Sequence, residues 1–273
     1  MDFDFLPNNC TFLPGEDALR QALSPDGVLY LIMNRPEVLN AFNGKQIGNI
    51  THALENAAEN ELVRVVVLTG AGENFCAGGD IQHMKAIGKK NQEENKEDAL
   101  KMALLMNTLH EFPKPTIARV NGNAFGGGVG LLCCCDMAFG SAETKICLSE
   151  VKIGMVPATI GPYVMRAVGL RYAHRLMLSA EVMQGQAAVD CHLLSGIFSE
   201  QEMNEKINAL AKKISRHAPQ ALQATKALLL NLAYQPIEEG LIDYTADVIA
   251  NARESEEGKE GLSAFLEKRR PSF

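Results

Sequence analysis

The sequence predicts an α/β fold: a core of strands and helices over residues 1–200, then a helical C-terminal region over residues 201–273. Three observations carry that expectation. The run Val63-Arg64-Val65-Val66-Val67-Leu68-Thr69 is β-branched and apolar with one interruption, the texture of a strand buried on both faces in a parallel sheet or a stacked solenoid. Two glycine turns, Gly78-Gly79 and Gly126-Gly127-Gly128, each follow a strand-like segment and open toward a helix. Beyond residue 200 the pattern is helical, and no long linker divides the chain there.

Taken in order, residues 1–24, broken by Pro7 and Pro14, read as an irregular arm. Asp26-Gly27 opens a strand over Val28–Met33 that stops at Asn34-Arg35-Pro36. Asn43 is placed to cap an amphipathic helix from Gly44 to Asn60. The Val63–Thr69 strand closes at Gly70-Ala71-Gly72, and the small-residue stretch Asn74–Ile81 then turns toward a helix. Lys85–Asp98 is charged and reads as a solvated, loop-like segment, with a helix over 99–112 behind it. Pro115–Val120 is a strand that runs into the glycine turn and the apolar block Leu131–Cys135. Short strands at Met137–Phe139 and Lys145–Leu148 deliver Ser149-Glu150-Val151. Helices are expected at 159–168 and 170–178, a short one at 184–189, and a strand at 194–199. Four helices end the chain, near 200–216, 219–234, 237–251 and 254–267. Between residues 26 and 140 the elements follow a β-β-α rhythm without a sequence repeat.

Composition narrows the function classes. A net charge of −7 argues against a general nucleic-acid or anionic-membrane surface, and the basic positions Lys206, Lys212, Lys213 and Arg216 read as a solvated helix face. No apolar run approaches the ~18–20 residues of a membrane span, and Met1–Pro14 lacks a secretory pattern. Seven cysteines, three of them consecutive at 133–135, point to reduced thiols and a cytoplasmic type of compartment. Cys76 and Cys133–Cys135 read as core fillers, with no His beside them in sequence. Histidines 52, 83, 110, 174, 192 and 217 show no ligand spacing, so no metal is expected.

The glycine run carries the chemistry. Five glycines within residues 122–130 lose more entropy on folding than other residues would, which secondary structure alone does not repay. A strand, a glycine turn and a helix start aim unpaired N–H groups and a positive dipole end at one point. A phosphate loop would need a Lys and a Ser/Thr after the glycines, and neither is there; the dinucleotide fingerprint fits loosely. An oxyanion hole and close helix–strand packing remain. The second glycine turn upstream favours the oxyanion hole.

Asn34-Arg35-Pro36 with Leu39-Asn40-Ala41, Phe75–Ile81, Asn121-Gly122 with Gly126–Gly128, Cys135-Asp136 and the tail Glu260–Arg269 together resemble the crotonase (enoyl-CoA hydratase/isomerase) superfamily. The resemblance implies a spiral of β-β-α units with a helical C-terminal region, packed as a homotrimer or hexamer. It implies an acyl-CoA thioester substrate and no separate cofactor, since coenzyme A belongs to the substrate. The Gly79 and Gly127 N–H groups match the family's oxyanion hole, which holds the thioester oxygen as an enolate forms. For coenzyme A, Ala77 and Ile81 match the loop that grips the adenine, with Asp80 between Gly79 and Ile81. Val38 and Leu39 lie where pantetheine passes. Phe265 and Lys268 match positions that reach coenzyme A on a neighbouring subunit, and Gln82 stands where many relatives have a Lys.

Family hydratases use two glutamates. Here the first position is Gly130 and the second is Glu150, so one carboxylate remains as acid and base at the substrate's Cα. Three reactions suit one glutamate: hydration with Glu150 alone handling water and proton, isomerisation of the double bond, or an altered reaction such as thioester hydrolysis. A non-catalytic CoA- or RNA-binding homologue is a fourth reading. The stretch Leu148–Arg166 resembles the bacterial methylglutaconyl-CoA hydratase branch of leucine degradation, which favours hydration of 3-methylglutaconyl-CoA or a similar branched enoyl-CoA. That substrate has a distal carboxylate, for which Lys152, Arg166 and Arg171 are the candidate cations.

Overall fold

The computed structural model describes residues 3–273. Its strands are β1 (Thr11–Phe12), β2 (Leu19–Leu23), β3 (Val28–Met33), β4 (Val65–Gly70), β5 (Asn74–Cys76), β6 (Thr116–Arg119), β7 (Asn123–Phe125), β8 (Met137–Gly140), β9 (Lys145–Cys147), β10 (Met183–Gln184) and β11 (Gly196–Ile197). Its α-helices are α1 (Gly44–Glu59), α2 (Ile81–Ile87), α3 (Gln92–His110), α4 (Gly127–Cys134), α5 (Gly161–Ser179), α6 (Gln186–Asp190), α7 (Glu200–Ser215), α8 (Pro219–Leu232), α9 (Glu239–Glu254) and α10 (Glu256–Leu266).

The strands form two sheets. The larger runs β1-β2-β3-β4-β6-β8-β11 and is parallel from β3 onward; the smaller runs β10-β9-β7-β5, parallel over β5, β7 and β9. Each turn of the chain therefore leaves one strand in each sheet: β4 then β5, β6 then β7, β8 then β9. This is the expected spiral.

Alternation of side chains explains the continuous apolar runs. On β3 and β4, Leu29, Leu31, Met33, Val66 and Leu68 join the main core, while Val28, Tyr30, Ile32, Val65 and Val67 join a second cluster under α7. Both faces are covered, and each such side chain contributes roughly 1.5–3 kcal/mol by leaving water. Met203, Ile207, Ala211 and Ile214 of α7 complete the second cluster. The helical region expected from 201 thus begins with a helix laid on the large sheet.

Two expectations need correction. From Phe3 onward the N-terminal arm is ordered: β2 pairs antiparallel with β3 from Leu19↔Met33 to Leu23↔Leu29, and Phe3, Phe5 and Leu6 pack on the second cluster. Only Leu19 and Ala22 of the five β2 residues are buried, so the strand carries little apolar pattern in the sequence. Lys85–Asp98 is largely helical, since α2 runs to Ile87 and α3 starts at Gln92. A capping box at Asn91 and Glu94 starts α3, a readable signal masked by the charged face that follows. The two helices expected at 159–168 and 170–178 are found: α5 is two helical segments divided at Gly169, whose φ of 73° and ψ of 162° are non-helical.

Among the described residues no helix is long and apolar enough to cross a membrane. All seven cysteines are unpaired thiols.

Candidate active site

The two glycine turns meet. Gly126 sits at φ 50° and ψ −119° and Gly78 at φ 91°, conformations that side-chain-bearing residues rarely adopt. A side chain at Gly126 would lie 3.9 Å from the Gly78 Cα, and one at Gly78 would lie 3.0 Å from the Phe125 carbonyl oxygen. The positive φ favours glycine on both sides, and the 3.0 Å approach adds a steric reason at Gly78.

Each turn ends in a free donor. The Phe42 N–H donates to the Gly78 carbonyl (2.7 Å) and the Asp80 N–H to the Phe42 carbonyl (2.8 Å). That parallel bridge leaves the Gly79 N–H facing away from Phe42. Gly127 opens α4, where the first N–H groups have no partner within the helix. Among the described residues neither the Gly79 nor the Gly127 N–H finds an acceptor.

Glu150 lies beside them. It begins a short 3-10 turn, Glu150–Ile153, just after β9, and the Gly126 N–H donates to the Cys147 carbonyl (3.0 Å), which holds the end of β9 against the glycine turn. Glu150 Oε1 is 3.2 Å from where a Gly126 side chain would start. Its Oε2 is buried and has no hydrogen-bond partner among the described residues. Burial pushes the carboxyl above the usual glutamate range, so the group is poised to take and return a proton.

Apolar groups fill the other side. A Cβ at Gly130 would meet Ile160 Cβ at 2.9 Å and Met106 Sδ at 3.0 Å; one at Gly127 would meet the Phe42 ring at 3.1 Å and Met102 Cε at 3.4 Å. Met84 Sδ lies 3.3 Å from the corresponding position at Gly79. Phe42, Met84, Met102, Met106 and Ile160 carry no signature in the sequence. Only their helical spacing on α2 and α3, or their place beside a motif, pointed to them.

The remaining predicted residues divide. Val38, Leu39, Ala77 and Ile81 gather next to Gly79, with the Ala77 N–H donating to the Leu39 carbonyl (3.0 Å) and Leu39 and Ile81 exposed. The Asp80 carboxylate turns inward, 2.7 Å from Arg35 Nη2 and 2.8 Å from the Gln82 N–H it caps. Phe265, 79% exposed, lies in the last turn of α10, which packs on α8 and α9, and Lys268 follows just beyond that helix. Of the three candidate cations, Arg166 sits 3.3 Å from His110 Nε2 at the end of α3, Lys152 Nζ lies 3.9 Å from Cys147 Sγ, and Arg171 is exposed. Burial pushes the Cys76 and Cys135 thiols up to about 12, which suits core filling and not nucleophilic attack.

A family profile described as Enoyl-CoA hydratase/isomerase matches residues 24–273. The chain belongs to that family. A solved enoyl-CoA hydratase from Shewanella pealeana is 39% identical, with a TM-score of 0.91 over 94% of this chain and 96% of that one. The 2,3-dehydroadipyl-CoA hydratase of Escherichia coli is 34% identical across 90% of this chain and 94% of that protein. The peroxisomal Delta(3,5)-Delta(2,4)-dienoyl-CoA isomerase of Arabidopsis thaliana is 31% identical across 90% and 92%. The enoyl-CoA hydratase/isomerase family thus reaches this chain through both hydratases and an isomerase. Ile160 and Met106 occupy the space that a side chain at Gly130 would need.

Proposed function

We propose that the protein catalyses reversible hydration of a 2-enoyl-CoA, with 3-methylglutaconyl-CoA or a similar branched enoyl-CoA as substrate. One observation carries the reading: the half-buried Glu150, whose carboxylate has a buried, unpartnered oxygen, beside two free N–H donors. In the forward direction Glu150 takes a proton from water as the oxygen bonds to Cβ. The π electrons move onto the thioester oxygen, where the Gly79 and Gly127 N–H groups stabilise the enolate. Glu150 then returns the proton to Cα, giving the 3-hydroxyacyl thioester. Addition on one face lets one carboxylate serve both steps. The branched acyl group is supported by the likeness of Leu148–Arg166 to methylglutaconyl-CoA hydratases, and no cofactor enters the scheme.

The assembly belongs to the same proposal. Helices α8–α10 bury only Lys226 and Ala264 while exposing Leu229, Ile242, Ile249, Leu262 and Phe265. A second copy covering this surface, in a trimer or hexamer, would bring Phe265 and Lys268 to a neighbour's coenzyme A.

Turnover in 18O-labelled water decides the reaction. The label should appear at Cβ of the product, read by mass spectrometry. A shifted double bond without label would make the protein an isomerase, and release of free coenzyme A a thioesterase.

A further inference from the structure

Leu39 and Asn40 both hold φ at 55°, a left-handed conformation that non-glycine residues keep only where their surroundings enforce it. The enforcement here is visible. Asn40 is 1% exposed; its Oδ1 accepts from the Arg35 N–H (2.9 Å), and its Nδ2 donates to the Ala71 and Asn74 carbonyls (2.9 and 2.8 Å). The Arg35 guanidinium then spans the loop, with Nη1 donating to the Ala41 carbonyl (2.8 Å) and Nη2 to Asp80 Oδ2 (2.7 Å). Both side chains are largely buried, 17% and 8% exposed. Between them runs Phe42, whose backbone bridges Gly78 and Asp80 and whose ring packs under Gly127. One residue therefore touches both donor turns, and one ion pair closes over it.

From these contacts we propose that Arg35 is a positioning residue for the oxyanion hole: its ion pair with Asp80, closed over Phe42, sets the spacing of the Gly79 and Gly127 N–H groups. The proposal rests on the reading of those N–H groups as donors to the thioester oxygen. Arg35 suits the task because its planar fork reaches two acceptors at once, which a Lys ammonium does with less geometric control. The guanidinium in turn holds the Asp80 carboxyl below the usual range, so the pair stays charged throughout the neutral range. A donor displaced by about 1 Å loses on the order of 100-fold in rate, because its bond to the developing oxyanion is strongest in the transition state.

The test compares Arg35→Met, Arg35→Lys, Asp80→Asn and the Arg35→Met/Asp80→Asn double variant. Turnover is measured with 2-butenoyl-CoA. The infrared carbonyl stretch is measured with bound 13C-labelled butanoyl-CoA, which has no double bond to hydrate. Wild type should shift the carbonyl to lower frequency on binding. Arg35→Met should lose roughly 10- to 100-fold in kcat with KM within about twofold, and its carbonyl shift should shrink. Arg35→Lys should fall between, and the double variant should be no worse than Arg35→Met, as expected for one coupled unit. Wild-type kcat and full carbonyl shift in folded Arg35→Met would overturn the positioning role. So would a joint loss of kcat, KM and Tm with the carbonyl shift intact, which marks a structural role only. No carbonyl shift in wild type would remove the donor reading itself, and this proposal with it. If Arg35→Met does not fold, Arg35→Lys and Asp80→Asn are held to the same criteria.

Discussion

The Glu150 charge is poorly compensated by the fold: Oε2 is buried without a partner among the described residues, and burial raises the carboxyl's pKa. The sign of its effect on stability follows. With a folded-state pKa above the unfolded value, the ionised form is disfavoured by folding. That penalty is absent at low pH and complete once pH has risen through the folded pKa. Glu150→Gln keeps the shape and removes the charge, so its Tm should exceed wild type at pH 8, with the gap narrowing toward pH 4 in thermal scans. The same variant should lose roughly 10²- to 10⁴-fold in kcat, the usual contribution of a general acid–base. Its acid limb has a sign too: wild-type kcat should fall as pH drops through a pKa above the ordinary glutamate value. A variant with near-normal turnover would remove Glu150 from the mechanism. Glu150 was legible in the sequence as a strand-end glutamate in a matching motif; its missing hydrogen-bond partner was not, because that depends on what the other elements leave around it.

At the scale of elements, the turns and the long runs were readable and the short or polar ones were not. The Val63–Thr69 strand declared itself because both its faces are buried. Strands β5 and β7, three residues each, are held by pairing to each other and to β9, a non-local cause that no local pattern reports. Helix α8 shows the same dependence. It is tied to the core by Lys226, 8% exposed, whose Nζ meets Asp136 Oδ2 at 2.9 Å and the Lys114 carbonyl at 3.3 Å. Asp136 also accepts from the Thr116 N–H and hydroxyl, at 2.7 and 3.0 Å, so the Cys135-Asp136 motif is a joint between β6 and α8. Lys226→Met should leave that carboxylate short of its cation and reduce stability by about 2 kcal/mol. Urea unfolding should show the loss, with turnover in dilute buffer largely kept.

For the whole molecule, the decisive feature is the contrast between the spiral and its tail. The spiral closes its own core, whereas α9 buries none of its residues and α8 and α10 one each. Exposed Leu229, Ile242, Ile249, Leu262 and Phe265 exceed what scattered surface apolar residues would explain, and they fit a surface that another copy covers. Sedimentation at micromolar concentration should therefore give a trimer or hexamer, and Leu262→Glu should shift it toward monomer. A wild-type monomer under the same conditions would end the assembly proposal and the cross-subunit role of Phe265 and Lys268.

The sequence by itself determined the spiral's long strands, the two glycine turns and the glutamate, because each is written in residues whose backbone or burial preference is local. Only the tertiary structure decided how these parts act together. It set Phe42 between the turns and Ile160 with Met106 against Gly130, and it spent Asp80 on Arg35. Those are contacts between residues tens of positions apart, and packing, which is blind to sequence order, chose them.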